Sequence, residues 1–435
     1  MDYIYLIDKY IYFPEYNLII NEEIEEIFFK YSNNIKKIII DDIIPSKNRL
    51  IKEIKNLNQL TLEVTQDCNL RCKYCIYNEN YYYHRNRSNK KMNYEIAKEG
   101  IEYIFKIIKG RNKKEFALSF YGGEPLLNFE NIKRIVDFSK KLFNGWKLTF
   151  SITTNGTLIN NEIIDFLISN DFQILISIDG PKAIHDAKRI FPNGKGSFEL
   201  IMNNLEKILK KDKQFYNKKV KFSIVWSPDS PIKKIYNFFT ENNIVKTNKV
   251  YFTKPIGVNT TYFRNLKYDA KKVKKEYYEV LELILSKIKK NRKLIPIDYG
   301  LLIEFLLLIK SLRFRKFTSL FGSCIFNDKL YLDAEGQFHI CHIINNKFPI
   351  GDIRNGLDFN KMQKICKEFI LLNKKHCYNC RVRFLCPRCY VTFAKNGKFI
   401  IEKTLCKIRE KAIIEQLEYY IKIQEKGINL DQMIQ

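Results

Sequence analysis

A chain of 435 residues can form two or three domains with substantial cores. Its apolar fraction of 46% and aromatic fraction of 14% exclude a disordered protein. The net charge of +27 is spread along the chain without an arm of consecutive Lys or Arg. We therefore interpret the charge first as a compositional bias, then as attraction for an acidic peptide or an acidic redox protein, and only third as a nucleic-acid surface.

The sequence indicates a cytoplasmic protein with no membrane partner. Residues 1–10 contain Asp2, Asp8 and Lys9, so no signal peptide is predicted. The most apolar helical segment, Leu301–Leu308, is too short to span a bilayer. In a reducing compartment the eleven cysteines are better interpreted as metal ligands than as disulfides.

Residues 1–58 are predicted to form a small α+β unit. Strands are expected at Tyr3–Leu6, Tyr10–Phe13, Leu18–Ile20 and Lys36–Ile44, and Asn21 is predicted to cap a helix at Glu22–Tyr31. The unit is interpreted either as a peptide-binding wing or as an extension without function.

A three-cysteine loop follows the predicted strand Gln59–Thr65. Its pattern is Cys68-x3-Cys72-x2-Cys75. Three thiolates at this spacing can hold three corners of an iron–sulfur cube, which leaves the fourth iron open to a small chelating molecule. The alternatives are a zinc site, which would need a fourth ligand such as His84, or three unrelated buried cysteines.

From residue 59 onward, strands and helices alternate regularly. The strands are predicted at Gln59–Thr65, Glu115–Tyr121, Lys147–Thr154, Gln173–Asp179, Val220–Trp226 and Lys249–Thr253. The helices between and after them are predicted at Asn93–Ile108, Asn128–Leu142, Asn160–Asn170, Ser197–Lys210 and Ile232–Asn243. Six such units predict an α/β fold with a parallel sheet curled into a partial (β/α)6 TIM-like barrel, whose chemistry lies at the carboxyl ends of the strands.

Polar motifs follow three successive strands at this end. After the second strand comes Gly122-Gly-Glu-Pro125, where Glu124 could accept from an ammonium group. The third strand ends in Thr153-Thr-Asn155, which can bind sugar hydroxyls, and Ser177-Ile-Asp179 and Arg189 follow, the arginine as a carboxylate clamp. Each motif alone is weak, but together they predict a site for an amino acid joined to a nucleoside.

These motifs resemble the radical S-adenosylmethionine (SAM) superfamily over residues 59 to about 255. The resemblance implies that Cys68, Cys72 and Cys75 hold a [4Fe–4S] cluster whose open iron chelates SAM. It also implies that reduction cleaves SAM to a 5′-deoxyadenosyl radical, with a ferredoxin or flavodoxin as electron donor. The residues expected around the cofactor are Tyr74, Gly122, Gly123, Glu124, Pro125, Thr153, Asn155, Ser177, Asp179 and Arg189.

The last third begins with a helical bridge over residues 256–317, with helices expected at Lys271–Lys290 and Gly300–Arg313. A hairpin is predicted from Lys329–Asp333 and Gln337–Cys341. Seven cysteines occur in a definite pattern: Cys324, Cys341, Cys377, Cys380, Cys386, Cys389 and Cys406. They suit two iron–sulfur cubes, or one cube and a partial site, with two zinc ribbons as the alternative.

Residues 318–435 resemble the SPASM domain, a two-cluster extension of peptide-modifying radical SAM enzymes. The resemblance implies a first auxiliary [4Fe–4S] cluster on Cys324, Cys341 and Cys389, and a second on Cys377, Cys380, Cys386 and Cys406. The gap between Cys386 and Cys389 is x2 where the family usually has x3. Thr318 and Ser319 occupy the region where some members carry an extra cysteine, so the first cluster could keep an open iron. Cys366 lies outside the pattern.

The resemblance favours a maturase of ribosomally made peptides, with a thioether crosslink as the leading hypothesis and a carbon–carbon link beside it. Its expected partner is a precursor peptide, for which a Cys-rich peptide with a leader is the leading form. Sulfatase-maturing relatives carry Asp after the cysteine that corresponds to Cys341, whereas this chain has His342. That difference argues against formylglycine formation, which remains an alternative together with peptide epimerisation. His342 and Tyr121 are the candidate catalytic residues, and a zinc-stapled RNA-binding protein is the non-enzymatic alternative.

Overall fold

The computed structural model describes residues 44–313, 326, 328–343, 347–377, 380–383, 385–387 and 389–433, together with the backbone of residues 4–5, 10–13, 18–21 and 27–29. None of the described helices is long and apolar enough to cross a lipid bilayer.

The amino-terminal segment contains an antiparallel sheet whose strands follow one another in chain order. They are β1 Ile4–Tyr5, β2 Tyr10–Phe13, β3 Leu18–Asn21 and β4 Ile27–Phe29. The prediction of a helix at Glu22–Tyr31 is wrong over Ile27–Phe29, which form strand β4. Asn21 is the last residue of β3 and does not cap a helix. Pairing of β4 with β3 overrides the local helix signal, and Ile-Phe-Phe is a sequence that favours strands. The predicted strand Lys36–Ile44 falls outside the described residues, except for Ile44, which is not in a strand.

Residues 47–253 form six strand–helix units. The strands are β5 Gln59–Thr65, β6 Glu115–Gly122, β7 Lys147–Thr154, β8 Gln173–Ser177, β9 Val220–Val225 and β10 Val250–Thr253. The helices are α1 Lys47–Ile54, α2 Tyr94–Ile108, α3 Phe129–Leu142, α4 Asn161–Ser169, α5 Lys182–Asp186, α6 Phe198–Lys211, α7 Lys213–Lys219 and α8 Ile232–Glu241. Neighbouring strands are parallel and lie in chain order. This confirms the predicted α/β fold with a partial barrel.

The core is built from alternate residues of these strands and the apolar faces of their helices. Leu60, Leu62 and Val64 of β5 are completely buried, as are Leu118 and Phe120 of β6. The opposite faces of the strands carry smaller or polar side chains and line a cavity inside the barrel. This alternation is expected for strands that have helices on one side and a ligand cavity on the other.

The carboxyl-terminal third extends the same sheet. Its elements are α9 Ala270–Lys289, α10 Pro296–Arg313, β11 Lys329–Leu332, β12 Gln337–His339, β13 Gly351–Asp352, β14 Gly356–Leu357, α11 Phe359–Cys377, α12 Tyr390–Phe393, β15 Ala394–Lys395, β16 Lys398–Phe399 and α13 Lys403–Glu425. The predicted hairpin is confirmed as β11–β12. Strand β11 also pairs in parallel with β5, so the hairpin lies beside the strand that leads into the three-cysteine loop.

Candidate active site

A cavity of about 600 Å³ lies inside the barrel and opens at the carboxyl ends of the strands. Its volume lies in the range of small-molecule sites. Cys68, Cys72 and Cys75 line it at the open end. The polar residues Gln59, at the start of β5, and Ser119 and Ser151, in the middle of β6 and β7, line it deeper in the barrel. The structure thus places the three predicted ligands together at one cavity, as the spacing of the motif required.

The cysteine loop is held against residues 188–190 by backbone hydrogen bonds. The amide of Arg71 donates to the carbonyl of Ile190 at 2.6 Å, and the amide of Lys73 donates to the carbonyl of Lys188 at 3.0 Å. A second contact holds the first cysteine: Nδ2 of Asn69 donates to Oγ1 of Thr157 at 2.8 Å. Asn69 was not predicted as a site residue, because its partner lies 88 residues away and only the fold brings the two together.

The three thiols lie in an environment that does not support bare thiolates. Burial, followed by the nearby Glu124 carboxylate and Cys72, raises the pKa of Cys68 to about 12. Burial raises the pKa of Cys72 to about 11, although Arg189 lowers it, and burial also raises the pKa of Cys75. Metals bind the thiolate form of cysteine. A bound metal centre would therefore have to stabilise the three thiolates, because their surroundings in the protein do not.

In the described part of the chain, no three His, Cys, Asp or Glu side chains are arranged around a single-ion site. An iron–sulfur cube places each cysteine on a separate iron atom, so its ligands need not converge on one point. Three cysteines around an open cavity fit such a cube and leave room for a further ligand.

The two glycines of Gly122-Gly123 pack against the backbone that enters the cysteine loop. A Cβ on Gly122 would lie 2.1 Å from the carbonyl oxygen of Thr65, and one on Gly123 would lie 2.0 Å from that of Asp67. The amides of Gly123 and Glu124 donate to these same two carbonyls at 2.9 and 2.8 Å. Both glycines also line the cavity. The close backbone approach that these glycines permit is therefore to the cysteine loop itself.

Glu124 is held by hydrogen bonds from its own chain. Its side chain is completely buried behind the cavity wall and accepts from the Leu126 amide at 3.1 Å, Thr154 Oγ1 at 2.6 Å and the Asn155 amide at 2.7 Å. Burial raises the pKa of Glu124 to about 7, although these hydrogen bonds oppose the shift. The carboxylate therefore joins the segment after β6 to the end of β7, and its predicted role toward an ammonium group stays a prediction. Pro125 is also buried, at the start of a 3-10 turn.

The residues predicted to bind the sugar lie on the cavity wall. Thr153, Asn155 and Ser177 line the cavity. Oδ1 of Asn155 accepts from Thr157, and its Nδ2 donates to Oδ1 of Asn69 at 2.9 Å and lies 3.9 Å from Sγ of Cys68. Asn155 thus connects the end of β7 to the cysteine loop.

Arg189 and Asp179 form a buried ion pair beside Cys72. Nε and Nη2 of Arg189 lie 3.0 and 3.3 Å from the two carboxylate oxygens of Asp179, and Nη1 lies 3.9 Å from Sγ of Cys72. Burial works against the charge on Arg189, yet Asp179 raises the pKa of Arg189 overall. Tyr74 also donates its hydroxyl to Asp179. Arg189 and Tyr74 line the cavity, whereas Asp179 lies behind them and positions both.

Tyr121 and His342 meet on the side of the cavity next to the hairpin. Their ring centroids are 4.5 Å apart, and both side chains line the cavity. Burial, followed by Cys75 and Cys341, raises the pKa of Tyr121 to about 12, and burial lowers the pKa of His342 to about 4. A neutral imidazole therefore lies between the three-cysteine loop and Cys341.

Cys341 follows β12, and the cysteines from Cys377 onward are distributed over α11, α13 and the segment between them. Cys377 ends α11, Cys389 precedes α12 and Cys406 lies in α13. Burial, followed by Cys380, raises the pKa of Cys406, which indicates that these two thiols are neighbours. Cys324, Thr318 and Ser319 lie outside the described residues, and Cys366 is completely buried in α11.

Comparison with known proteins identifies the fold. Residues 62–239 match the radical SAM superfamily. The radical SAM cyclopropyl synthase TigE of Paramaledivibacter caminithermalis is 30% identical over 274 residues, which is 60% of this chain and 54% of that protein. The Cys-type anaerobic sulfatase-maturating enzyme of Clostridium novyi is 35% identical over 44% of this chain and 50% of its own length. The chain thus spans about half the length of these curated relatives.

A solved structure supports the same assignment of the fold. The anaerobic sulfatase-maturating enzyme anSMEcpe with bound AdoMet superposes with a TM-score of 0.63 at 20% identity, covering 86% of this chain and all of that one. A radical SAM domain implies a [4Fe–4S] cluster and SAM as cofactors, and the cavity with its three cysteines fits both. The fold, the cysteine motif and the sequence match agree: residues 62–239 form a radical SAM domain.

Proposed function

We propose that the protein is a peptide maturase that removes a hydrogen atom from a carbon of a ribosomally made peptide and closes a new bond at that carbon. One observation carries the proposal. A single cavity is lined by the three cysteines of the radical SAM motif at its mouth and by Tyr121 and His342, adjacent to Cys341 of the carboxyl-terminal region, on its wall. The cavity thus connects a site for making a radical with a site for completing the bond.

In this proposal Cys68, Cys72 and Cys75 hold the cluster, and the wall binds SAM through Tyr74, Gly122, Gly123, Thr153, Asn155, Ser177 and Arg189. Glu124, Pro125 and Asp179 support that wall from behind. When bound and reduced, the cluster supplies the electron that cleaves SAM to a 5′-deoxyadenosyl radical. The protein's own contribution is to position the substrate carbon within reach and to exclude water from the cavity.

We extend the proposal to two auxiliary [4Fe–4S] clusters. Cys324, Cys341 and Cys389 would hold the first, and Cys377, Cys380, Cys386 and Cys406 the second. The proximity of Cys380 and Cys406 supports the second set. His342, adjacent to Cys341, is our candidate to accept a proton from the substrate: burial lowers its pKa to about 4, so the imidazole is neutral at pH 7 and acts as a weak base.

The substrate is a precursor peptide, and a ferredoxin or flavodoxin supplies electrons. The relatives support a peptide substrate: one solved anSMEcpe structure contains both AdoMet and a peptide called Cp18Cys. The amino-terminal unit, residues 1–58, remains our candidate for leader recognition.

Two bonds have specific support. A thioether would use a substrate thiolate held at the first auxiliary site, and a carbon–carbon bond is favoured by the similarity to the cyclopropyl synthase TigE. Formylglycine formation is supported by the similarity to Cys-type sulfatase-maturating enzymes but opposed by His342 at the position after Cys341.

The test uses anaerobically reconstituted protein, SAM, dithionite and the peptide encoded beside the chain. We expect release of 5′-deoxyadenosine and a peptide that is lighter by two hydrogens. Alkylation then separates the bonds, because a thioether removes one titratable thiol and a carbon–carbon bond removes none. A peptide of unchanged mass made alongside 5′-deoxyadenosine would contradict bond formation and would indicate epimerisation.

A further inference from the structure

A second cavity, of about 430 Å³, lies on the other side of the cysteine loop. It is lined by Arg71, Lys73, Asn80, Lys188 and Asn265, among others. Cys72 and Arg87 line both this cavity and the barrel cavity. The cysteine loop is therefore a thin partition between the barrel cavity and a second opening on the protein surface.

The second cavity is positively charged. Within the described residues, Arg71, Lys73 and Arg87 have no carboxylate within ion-pair distance, whereas Lys188 is paired with Asp229. Glu79 is the one acid in the lining besides Asp229. Uncompensated cations at a concave surface attract acidic macromolecules and increase their association rate.

The rim of this cavity is fixed before any partner arrives. Residues 80–82 are hydrogen-bonded to residues 259–261: the Tyr82 amide donates to the Asn259 carbonyl at 2.8 Å, and the Thr261 amide donates to the Asn80 carbonyl at 2.9 Å. Nη1 of Arg71 donates to the carbonyl of Cys68 at 2.5 Å, so one cation contacts the backbone of a proposed cluster ligand. Two exposed aromatic side chains, Tyr82 and Tyr83, lie on the same loop, and tyrosine and arginine are enriched at protein interfaces.

We propose that this surface docks an acidic one-electron donor protein. The inference rests on the proposed function and adds the route by which the electron arrives. The reduced donor would give up one electron past Cys72 to the cluster that the three cysteines would hold, without transfer of a proton or loss of a leaving group. The peptide substrate must reach the barrel cavity, which is on the opposite side of the loop, so the two partners would not compete.

The test is charge reversal at the mouth of the second cavity. In the double variant Lys73→Glu/Asn265→Asp, both positions are exposed, and the change removes one positive charge and adds two negative charges. The matched control Lys213→Glu/Asn217→Asp makes the same change at exposed positions of α7, which precedes β9 at the other end of the barrel. Lys73→Gln serves as a milder second variant.

Binding of oxidised flavodoxin and of an acidic ferredoxin is measured by titration, and 5′-deoxyadenosine formation is measured with either reduced protein or dithionite as donor. We expect donor binding and donor-driven cleavage to fall about tenfold or more in the double variant at low ionic strength. The difference should shrink at high salt, while dithionite-driven cleavage and the control variant stay within about twofold of the wild type.

Equal donor binding by the double variant and the control would overturn the proposal. The proposal would also be wrong if the double variant lost affinity for a synthetic Glu-rich peptide but kept donor-driven SAM cleavage. The surface would then bind the substrate and not the electron donor. Failure of the wild type to cleave SAM with dithionite would contradict the proposed function, and the binding titration would still decide the docking surface.

Discussion

A chain of buried hydrogen bonds fixes the residues that surround Cys72. The Asp179 amide donates to Nδ1 of His185 at 3.3 Å, and the other imidazole nitrogen, Nε2, lies 3.0 Å from Oγ of Ser197. The Ser197 hydroxyl donates to the Arg189 carbonyl at 2.9 Å. Nε2 must therefore carry the proton, and the neutral imidazole connects the backbones of the Asp179–Arg189 pair.

The free energy of unfolding should depend on pH through the protonation of His185. Burial lowers the pKa of His185 to about 4, below its ordinary value near 6.5. The unfolded chain binds the proton more strongly, so this contribution to stability is complete above about pH 6.5 and is lost as the pH falls toward 4. Between pH 7 and pH 5 we expect His185 to account for ~2 kcal/mol of the loss in the free energy of unfolding. Urea unfolding of the wild type and of His185→Gln at both pH values measures this loss. An equal loss of unfolding free energy in both proteins would show that His185 is not its source.

Gly123 provides a second test at this scale. In Gly123→Ala the new Cβ would lie 2.0 Å from a backbone oxygen of the cysteine loop, so the loop must move. We expect ~3 kcal/mol of destabilisation, at the upper end of the cost of overpacking, together with weaker iron incorporation. Gly110→Ala is the control, because nothing lies within 4 Å of the added atom. Iron content and unfolding free energy similar to those of the control would show that the loop tolerates the shift.

The sequence predicted the position of the cysteine loop after β5, because short spacings and strand ends place the motif without knowledge of long-range contacts. It did not predict the internal hydrogen bonds of Glu124, whose partners Thr154 and Asn155 lie about 30 residues away. The local sequence, two glycines followed by a glutamate, is the same whether the carboxylate faces a ligand or accepts three hydrogen bonds from its own chain. Only the register between β6 and β7 distinguishes these cases.

At the scale of elements, the contact between β5 and the β11–β12 hairpin determines how the two cysteine regions meet. Glu63 of β5 is completely buried and pairs with Arg85 through one carboxylate oxygen. The other oxygen accepts from Gln66 at 3.1 Å and from the Ala334 amide of the hairpin at 3.2 Å. Arg85 also lies 3.6 Å from the centre of the Tyr77 ring. One buried carboxylate thus connects the strand, the loop after the cysteines and the hairpin.

Replacing Glu63 with Gln should leave the Arg85 charge buried without its partner. We expect a loss of ~3 to 5 kcal/mol in the free energy of unfolding, measured by chemical denaturation. The matched control is Glu335→Gln, which removes an exposed ion pair between Lys90 and the same hairpin and should cost at most ~1 kcal/mol. Equal effects of the two substitutions would show that the buried pair does not hold the hairpin.

The elements themselves were largely predictable, because the helices begin at capping residues and the strands alternate. Asn93 and Asn160 cap α2 and α4 as their sequences indicate. The short helices α1 and α7 were missed, although Ser46 and Asp212 cap them, because each is too short to show a clear apolar period. The pairing of β11 with β5 was not predictable, since about 260 residues separate the two strands and neither sequence identifies its neighbour.

At the scale of the whole molecule, the structure places the carboxyl-terminal region on the same sheet as the barrel. The division into residues 1–58, 59–255, 256–317 and 318–435 remains a prediction, and helix α1 at the end of the first part contacts the last part. This helix packs against α11, and the Pro45 carbonyl accepts from Nε2 of Gln363 at 3.0 Å.

The two cysteine regions should therefore have separable roles. In Cys341→Ala we expect SAM cleavage to persist while the modified peptide is lost, because the three-cysteine loop remains intact. Mass spectrometry of the peptide and chromatography of 5′-deoxyadenosine measure the two outcomes in one reaction. Normal product from this variant would mean that the auxiliary site is only structural.

The central claim is that Cys68, Cys72 and Cys75 hold a redox-active iron centre that cleaves SAM. Its most direct test is the release of 5′-deoxyadenosine by anaerobically reconstituted protein with dithionite and SAM, compared with the Cys72→Ala variant. We predict release by the wild type and none by the variant. Release of equal amounts by both proteins, or zinc in place of iron in the purified wild type with no release at all, would contradict the account.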